Sequence, residues 1–199
     1  MSAPRVSAIV LAGGRSSRFG MDKLAVELDG RPLLWRAIDA VRPIVDEIVV
    51  AAGPERPVDL PAGVRLAVDD QAFEGPLRGV ATGLKAATAP TVLVVGGDMP
   101  SLVPAVLERL TAAVEDERTL AALLGPADPS GDPGRPLPMA ARRVEALAEA
   151  TALLSTGERR LRALAERLCA VRIPADLWRV DDPAGRTLRD IDIPADLDG

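Results

Sequence analysis

The chain has no histidine and only one cysteine, Cys169, among its 199 residues. Without imidazole there is no histidine-dependent triad, no haem ligation by histidine and no route to most transition-metal sites. A single thiol excludes an intramolecular disulfide and a cysteine-based zinc finger. Any acid, base or metal ligand must therefore be Asp, Glu, Lys or solvent. Aromatic residues make up only 2%, too few to build stacking platforms for single-stranded nucleic acid. Cations are outnumbered, with a net charge of −5 and an isoelectric point near 4.9. That balance argues against a nucleic-acid coat, which depends on clustered cations neutralising phosphates. No stretch approaches the roughly 18 uninterrupted apolar residues of a membrane-spanning helix. Met1 to Val6 lead into a short apolar run without a signal-peptide pattern, so a cytoplasmic protein is expected.

What is present is a globular mixture, 48% apolar and 27% charged, of a length that suits one core, so a single domain over 1–199 is expected. Residues 6–11, 48–51, 64–68, 91–95, 120–124 and 170–173 read as strands, and the β-branched run Thr91-Val92-Leu93-Val94-Val95 is the clearest. Between them, helical spacing predicts a helix with Pro32 in its first turn and closed by Pro43. Further helices are predicted over 77–87, over 101–115 with Ser101 as cap, over 140–154 and over 158–168. Gly125 to Gly134 is the most turn-rich stretch and reads as a surface loop. The alternation implies a doubly wound α/β sandwich, a largely parallel sheet flanked by helices. Trp35 and Trp178 read as packing residues.

The first strand ends in Leu11-Ala12-Gly13-Gly14, followed by Arg15, Ser16, Ser17, Arg18 and Lys23. Glycines let backbone amides approach an anion, serine hydroxyls donate, and the cations balance phosphate charge. The adjacent glycines do not form G-x-G-x-x-G, and Lys23 does not sit in a Walker A arrangement. A solvated surface loop is the plainer alternative. Asp98 follows the strongest strand, where open α/β sheets place ligands, and one carboxylate there suits Mg²⁺; a helix cap is its alternative. Asp69 and Asp70 follow the third strand, with exposed turn acids as their alternative. Arg159, Arg160 and Arg162 form a cationic stretch that could meet an anion or simply face solvent.

The pattern L-A-G-G-x-S-x-R-x-G-x-D-K, complete from Leu11 to Lys23, resembles the signature of the MobA family of molybdenum cofactor guanylyltransferases. The resemblance continues through Gly75-Pro76-Leu77-Arg78-Gly79, Gly97-Asp98-Met99-Pro100 and Gly157-Glu158-Arg159-Arg160 to Asp190-Ile191-Asp192-Ile193-Pro194. It implies a Rossmann-like nucleotidyltransferase that transfers GMP from GTP to the terminal phosphate of molybdopterin and releases pyrophosphate. Nucleotide binding is then implied for Leu11, Ala12, Gly13, Gly14, Lys23, Asp70, Gly75, Pro76, Leu77, Gly79 and Asp98. Lys23, Arg18 and Asp98 become the catalytic groups, Asp98 and Asp192 the Mg²⁺ ligands, and Asp190 and Asp192 contacts to the acceptor. Family members often carry Asn where Asp190 and Asp192 stand, so a helix cap before Pro194 stays open for either. They also tend to have Asn where this chain has Ala51-Ala52-Gly53, and no role passes to Arg135. Molybdoenzymes or their chaperones are the protein partners implied. A cytidylyl or other nucleotidyltransferase with another phosphorylated acceptor, or a nucleotide-binding regulator without turnover, are the alternatives.

Overall fold

The computed structural model describes residues 5–13, 23–54, 59–69, 75–126, 136–191 and 196. The chain opens with strand β1 (Val6–Leu11), followed by a small hairpin, β2 (Glu27–Leu28) and β3 (Arg31–Pro32). Helix α1 (Leu33–Val41) leads to β4 (Glu47–Ala52) and β5 (Val64–Val68), and α2 (Pro76–Ala86) to β6 (Thr91–Gly96). After α3 (Pro104–Ala113) come β7 (Ala121–Leu124), β8 (Met139–Arg142), α4 (Arg143–Ser155), α5 (Leu161–Arg167), β9 (Val171–Ile173) and the short α6 (Ala175–Trp178).

Seven strands form one sheet in the order β5-β4-β1-β6-β8-β7-β9. Every pairing is parallel except those of β8, which runs antiparallel to both β6 and β7. Helices cover both faces, so the central strands are apolar on both sides, as in other parallel sheets. One core joins Val10, Ile48 and Val95 to Ile38 of α1 and Leu107 of α3. The other joins Ile9 and Val94 to Leu84 of α2, Ala150 of α4 and Leu164 of α5. Trp178 is fully buried and its indole N–H donates to the Gly125 carbonyl at 3.2 Å, a packing role that also satisfies the polar atom. The sheet edge where the parallel strands begin is tied together through Glu47, whose carboxylate accepts from the Ser7 hydroxyl and from the Thr88 amide and hydroxyl.

All six predicted strands form, β2, β3 and β8 are added to them, and four helix boundaries move. Pro32 does not enter the first helical turn. It ends β3 with ψ 141°, because the hairpin continues to that point and the Leu33 amide donates to the Val26 carbonyl at 3.0 Å. The helix expected from Ser101 starts at Pro104: a proline ring drives the preceding residue into extended backbone, and Val103 accordingly sits at φ −100°, ψ 114°. Residues 158–160 stay outside α5, with Arg160 extended, because the Glu158 carboxylate takes up the amides of Arg159 and Arg160. The helix expected over 140–154 begins only at Arg143, since Met139 to Arg142 form β8. Most of the turn-rich stretch, 127–134, lies outside the described residues. Among those described, no helix is long and apolar enough to cross a membrane.

Candidate active site

The ends of β1 and β6 lie side by side in register, Leu11 against Gly96. The Gly97 amide donates to the Leu11 carbonyl at 3.0 Å, so the two loops leaving β1 and β6 start in contact, and the Ala12 amide ties the first of them to Ala51 O of β4 at 2.8 Å. A side chain at residue 97 would lie 3.0 Å from that Leu11 oxygen and within 3.2 Å of Leu34 and Leu24. Gly97 therefore permits the close approach, and it delivers Asp98 to the crevice beyond the strand ends where open α/β sheets bind ligands.

Into this crevice comes Lys23, whose Nζ lies 3.0 Å from Asp98 Oδ2. The lysine side chain is 13% exposed and the aspartate 32%, so the pair is sheltered yet reachable. Asp98 is not a helix cap, because α3 begins at Pro104 with Val103 at its cap position. Its own carbonyl accepts from the Ile191 amide at 3.0 Å, which brings Asp190 to the same place. Among the described residues, no group of three acidic or thiol side chains gathers in metal-binding geometry. Asp98 supplies a hard carboxylate oxygen there, which fits Mg²⁺, an ion that usually takes one or two carboxylates and fills its shell with water and phosphate oxygens.

The start of α2 forms a neighbouring wall. Gly75 takes φ +91°, a conformation side chains rarely adopt, and a Cβ there would lie 3.0 Å from the Arg159 carbonyl. That carbonyl accepts the Leu77 amide at 3.3 Å, supplying an orphan N–H of the first turn with a partner from a distant loop. Pro76 occupies the first helical position, and the Gly79 Cα faces the Leu11 side chain, whose Cδ2 is 3.5 Å from where a Cβ would project. Asp69 is buried rather than an exposed turn acid, its amide donating to the Ala52 carbonyl at 2.9 Å and its Oδ1 lying 3.9 Å from Arg78.

The loop before α5 is organised by Glu158. It accepts the Arg159 amide at 2.8 Å, the Arg160 amide at 2.9 Å and the Arg160 guanidinium at 2.6 Å. The guanidinium bond, more than any other contact, holds the Glu158 carboxyl far down, at about 2. Arg160 is thus engaged by a local carboxylate, while Arg162 lines a cavity of about 260 Å³ with Pro136 and Arg172.

The structure therefore brings Leu11, Ala12, Lys23, Asp98 and Asp190 to one end of the sheet, with Gly75, Pro76, Leu77 and Gly79 on the helix start packed against Leu11. Gly13 lies there too, and among the described residues a Cβ on it would meet nothing within 4 Å. Gly14, Arg15, Ser16, Ser17, Arg18, Asp70 and Asp192 lie outside the described residues. Sequence reasoning missed Arg78 as the partner of Asp69 and the Arg159 carbonyl as the cap of α2. The first had a signal, a cation inside the Gly75–Gly79 motif; a backbone carbonyl contributed from a distant loop has none.

The MobA-like NTP transferase domain family matches residues 8–172. A relative from Chloroflexus aggregans, named a probable molybdenum cofactor guanylyltransferase, is 38% identical over 198 residues, 96% of this chain and 91% of its own. The crystal structure of molybdopterin-guanine dinucleotide biosynthesis protein A from Archaeoglobus fulgidus is similar at a TM-score of 0.75 and 25% identity, covering 96% of this chain and 95% of that one. The fold is also similar to that of 2-C-methyl-D-erythritol 4-phosphate cytidylyltransferase from Thermus thermophilus, with a TM-score of 0.71 at 21% identity and coverage of 97% and 95%. With the family match spanning most of the sheet and a relative aligned along nearly the whole chain, the conclusion follows that this chain belongs to the MobA-like NTP transferase family.

Proposed function

We propose that this protein transfers GMP from GTP to the terminal phosphate of molybdopterin or its molybdenum-loaded form, releasing pyrophosphate. The observation that carries the reading is the Lys23–Asp98 pair at 3.0 Å, set where the loops after β1 and β6 meet. Relatives named molybdenum cofactor guanylyltransferase, at 38% and 34% identity, support the choice of donor and acceptor.

The acceptor is a phosphate monoester, largely ionised at neutral pH, so its oxygen is already a nucleophile and no strong base is needed to create one. A chain without histidine is compatible with that chemistry. The work left to the protein is to align the attacking oxygen with the α-phosphorus and to balance charge as pyrophosphate departs. Lys23 and Arg18 neutralise that charge, while amides of Leu11 to Gly14 cradle the phosphates. Asp98 and Asp192 would hold Mg²⁺, which supplies Lewis-acid polarisation of the phosphoryl oxygens when bound. Asp190 and Asp192 would contact the acceptor, and Asp70 would hold the donor nucleotide. The guanine lies between Leu11-Ala12-Gly13 and the Gly75–Gly79 turn, where backbone groups can match its O6 acceptor and N1/N2 donors.

Pyrophosphate release with molybdopterin and each of the four NTPs tests donor, acceptor and turnover together. GTP is expected to exceed the others in kcat/KM by at least about tenfold, since each buried group left unpaired by a wrong base costs about 1 to 3 kcal/mol. Preference for CTP would replace the guanylyl reading by a cytidylyl one. Binding without release of pyrophosphate by any NTP would point to a regulator.

A further inference from the structure

The segment after α6 is a strap that returns across the sheet, and its anchoring is more elaborate than a chain terminus needs. Trp178 plugs the core, Asp181 pairs with Arg109 of α3, and Asp182 is fully buried, its Oδ2 accepting the Thr187 amide at 2.7 Å. Burial opposes the Asp182 charge, but the Thr187 amide and hydroxyl, with Arg186 nearby, hold its carboxyl below the ordinary value. Between Asp182 and Thr187 the backbone turns through Gly185 at φ +67°.

Two of the bonds that leave this strap end on the loop between β6 and α3. The Val103 amide, at the foot of α3, donates to the Thr187 hydroxyl at 3.2 Å. Four residues along the strap, the Ile191 amide donates to the Asp98 carbonyl at 3.0 Å. The loop that carries Asp98 is therefore pinned near both ends by one short stretch of strap. Thr187 is fully buried; its side-chain oxygen accepts the Val103 amide, and its own amide donates to the buried Asp182.

From this geometry we infer that Thr187 is a positioning residue for Asp98, acting through the loop from Asp98 to Val103. The inference rests on the proposed role of Asp98. Neither substrate need touch Thr187. Its hydroxyl fixes the far end of the loop while Ile191 fixes the near end, so the carboxylate meets Lys23 at one place rather than over a range. Small displacements of a reacting group cost much in rate even when binding survives.

Thr187→Val keeps the shape and removes the acceptor, leaving the Val103 amide without this partner; Thr187→Ser keeps the hydroxyl, and Thr187→Ala serves if the valine variant does not fold. Each is measured for amide hydrogen exchange over residues 97–103, for kcat and for the KM of GTP, with Asp98→Asn alongside. The valine or alanine variant is expected to exchange faster across 97–103 and to lose about ten- to a hundredfold in kcat, with the KM of GTP changed less than about threefold. The serine variant should restore both exchange and kcat. If Asp98→Asn is inactive but Thr187→Val keeps wild-type exchange and kcat, the positioning role is wrong and the Asp98 reading stands. Equal impairment of the serine and valine variants also overturns it. Full turnover by Asp98→Asn would overturn the Asp98 reading itself, and with it the reason for Thr187 to position anything.

Discussion

Lys23 and Asp98, 75 positions apart in sequence, meet at 3.0 Å through a lysine that is almost covered and an aspartate that is a third open. A pair of that kind can give up its mutual contact when a phosphate arrives, because both partners already face the crevice. Lys23→Met, which keeps the length and removes the charge, is expected to lower kcat by about 30- to 1,000-fold, the loss of roughly 2 to 4 kcal/mol of transition-state stabilisation. Asp98→Ala should abolish transfer while the circular dichroism spectrum stays unchanged. A Lys23→Met effect confined to the KM of GTP would show uniform binding instead.

Gly75→Ala tests the wall formed by α2. Alanine at φ +91° carries strain of about 1 to 3 kcal/mol, and its Cβ would press on the Arg159 carbonyl at 3.0 Å. The cap on Leu77 should loosen, and the KM of GTP should rise while the KM of molybdopterin moves less. Steady-state kinetics with each substrate varied in turn checks the asymmetry.

Two glycines one turn apart in α2 should respond with opposite signs. At Gly83 an added Cβ would fall 2.3 Å from Ile9 Cγ2, on a β-branched side chain fixed within the sheet, whereas at Gly79 the nearest atom is Leu11 Cδ2 at an ordinary 3.5 Å. Gly83→Ala is expected to destabilise by about 1 to 3 kcal/mol, and the same change should cost less in an Ile9→Ala background, where the clash is relieved. Gly79→Ala should stabilise by about 0.4 to 1 kcal/mol, through the smaller backbone entropy of the unfolded chain. Thermal melts of the four variants decide both signs.

The acid limb of stability should involve Glu158. Its carboxyl is lowered from 4.5 to about 2 in the folded chain, first by the Arg160 guanidinium and then by the amides of Arg160 and Arg159. A depressed carboxylate stabilises the fold fully above its unfolded value, and that contribution fades as pH falls from about 4.5 toward 2. Glu158→Gln should therefore flatten the melting temperature across that window and leave the profile above pH 6 parallel to wild type. With no histidine, no side chain titrates at its ordinary value between pH 5 and 8, so a steep change in that range would contradict the reading.

The strands were legible because runs such as Thr91 to Val95 are β-branched and bounded by turn residues, and the placement of Lys23 and Asp98 followed from their positions after strands. Met139-Ala140-Ala141-Arg142 hid its strand. Alanines fit a helix at least as well, and the pattern ran on without a break into α4, so only pairing with β6 and β7 decides it. The two-residue strands β2 and β3 are too short to show any period. Thr187 carries no local sign of its role, since its partners Val103 and Asp182 lie on different elements that folding alone brings together.

The reversed direction of β8 has an architectural consequence. In a wholly parallel sheet, only segments that leave strands reach the edge where Asp98 sits, and segments that enter strands belong to the opposite edge. Because β7 ends on the Asp98 edge and β8 starts there, the connection between Leu124 and Met139 departs from and returns to one border. The ladder of β7 and β8 involves only residues on either side of it, 121–124 and 139–142. The connection offers a natural grafting point for changing what the sheet accepts while leaving the β1 and β6 termini as they are.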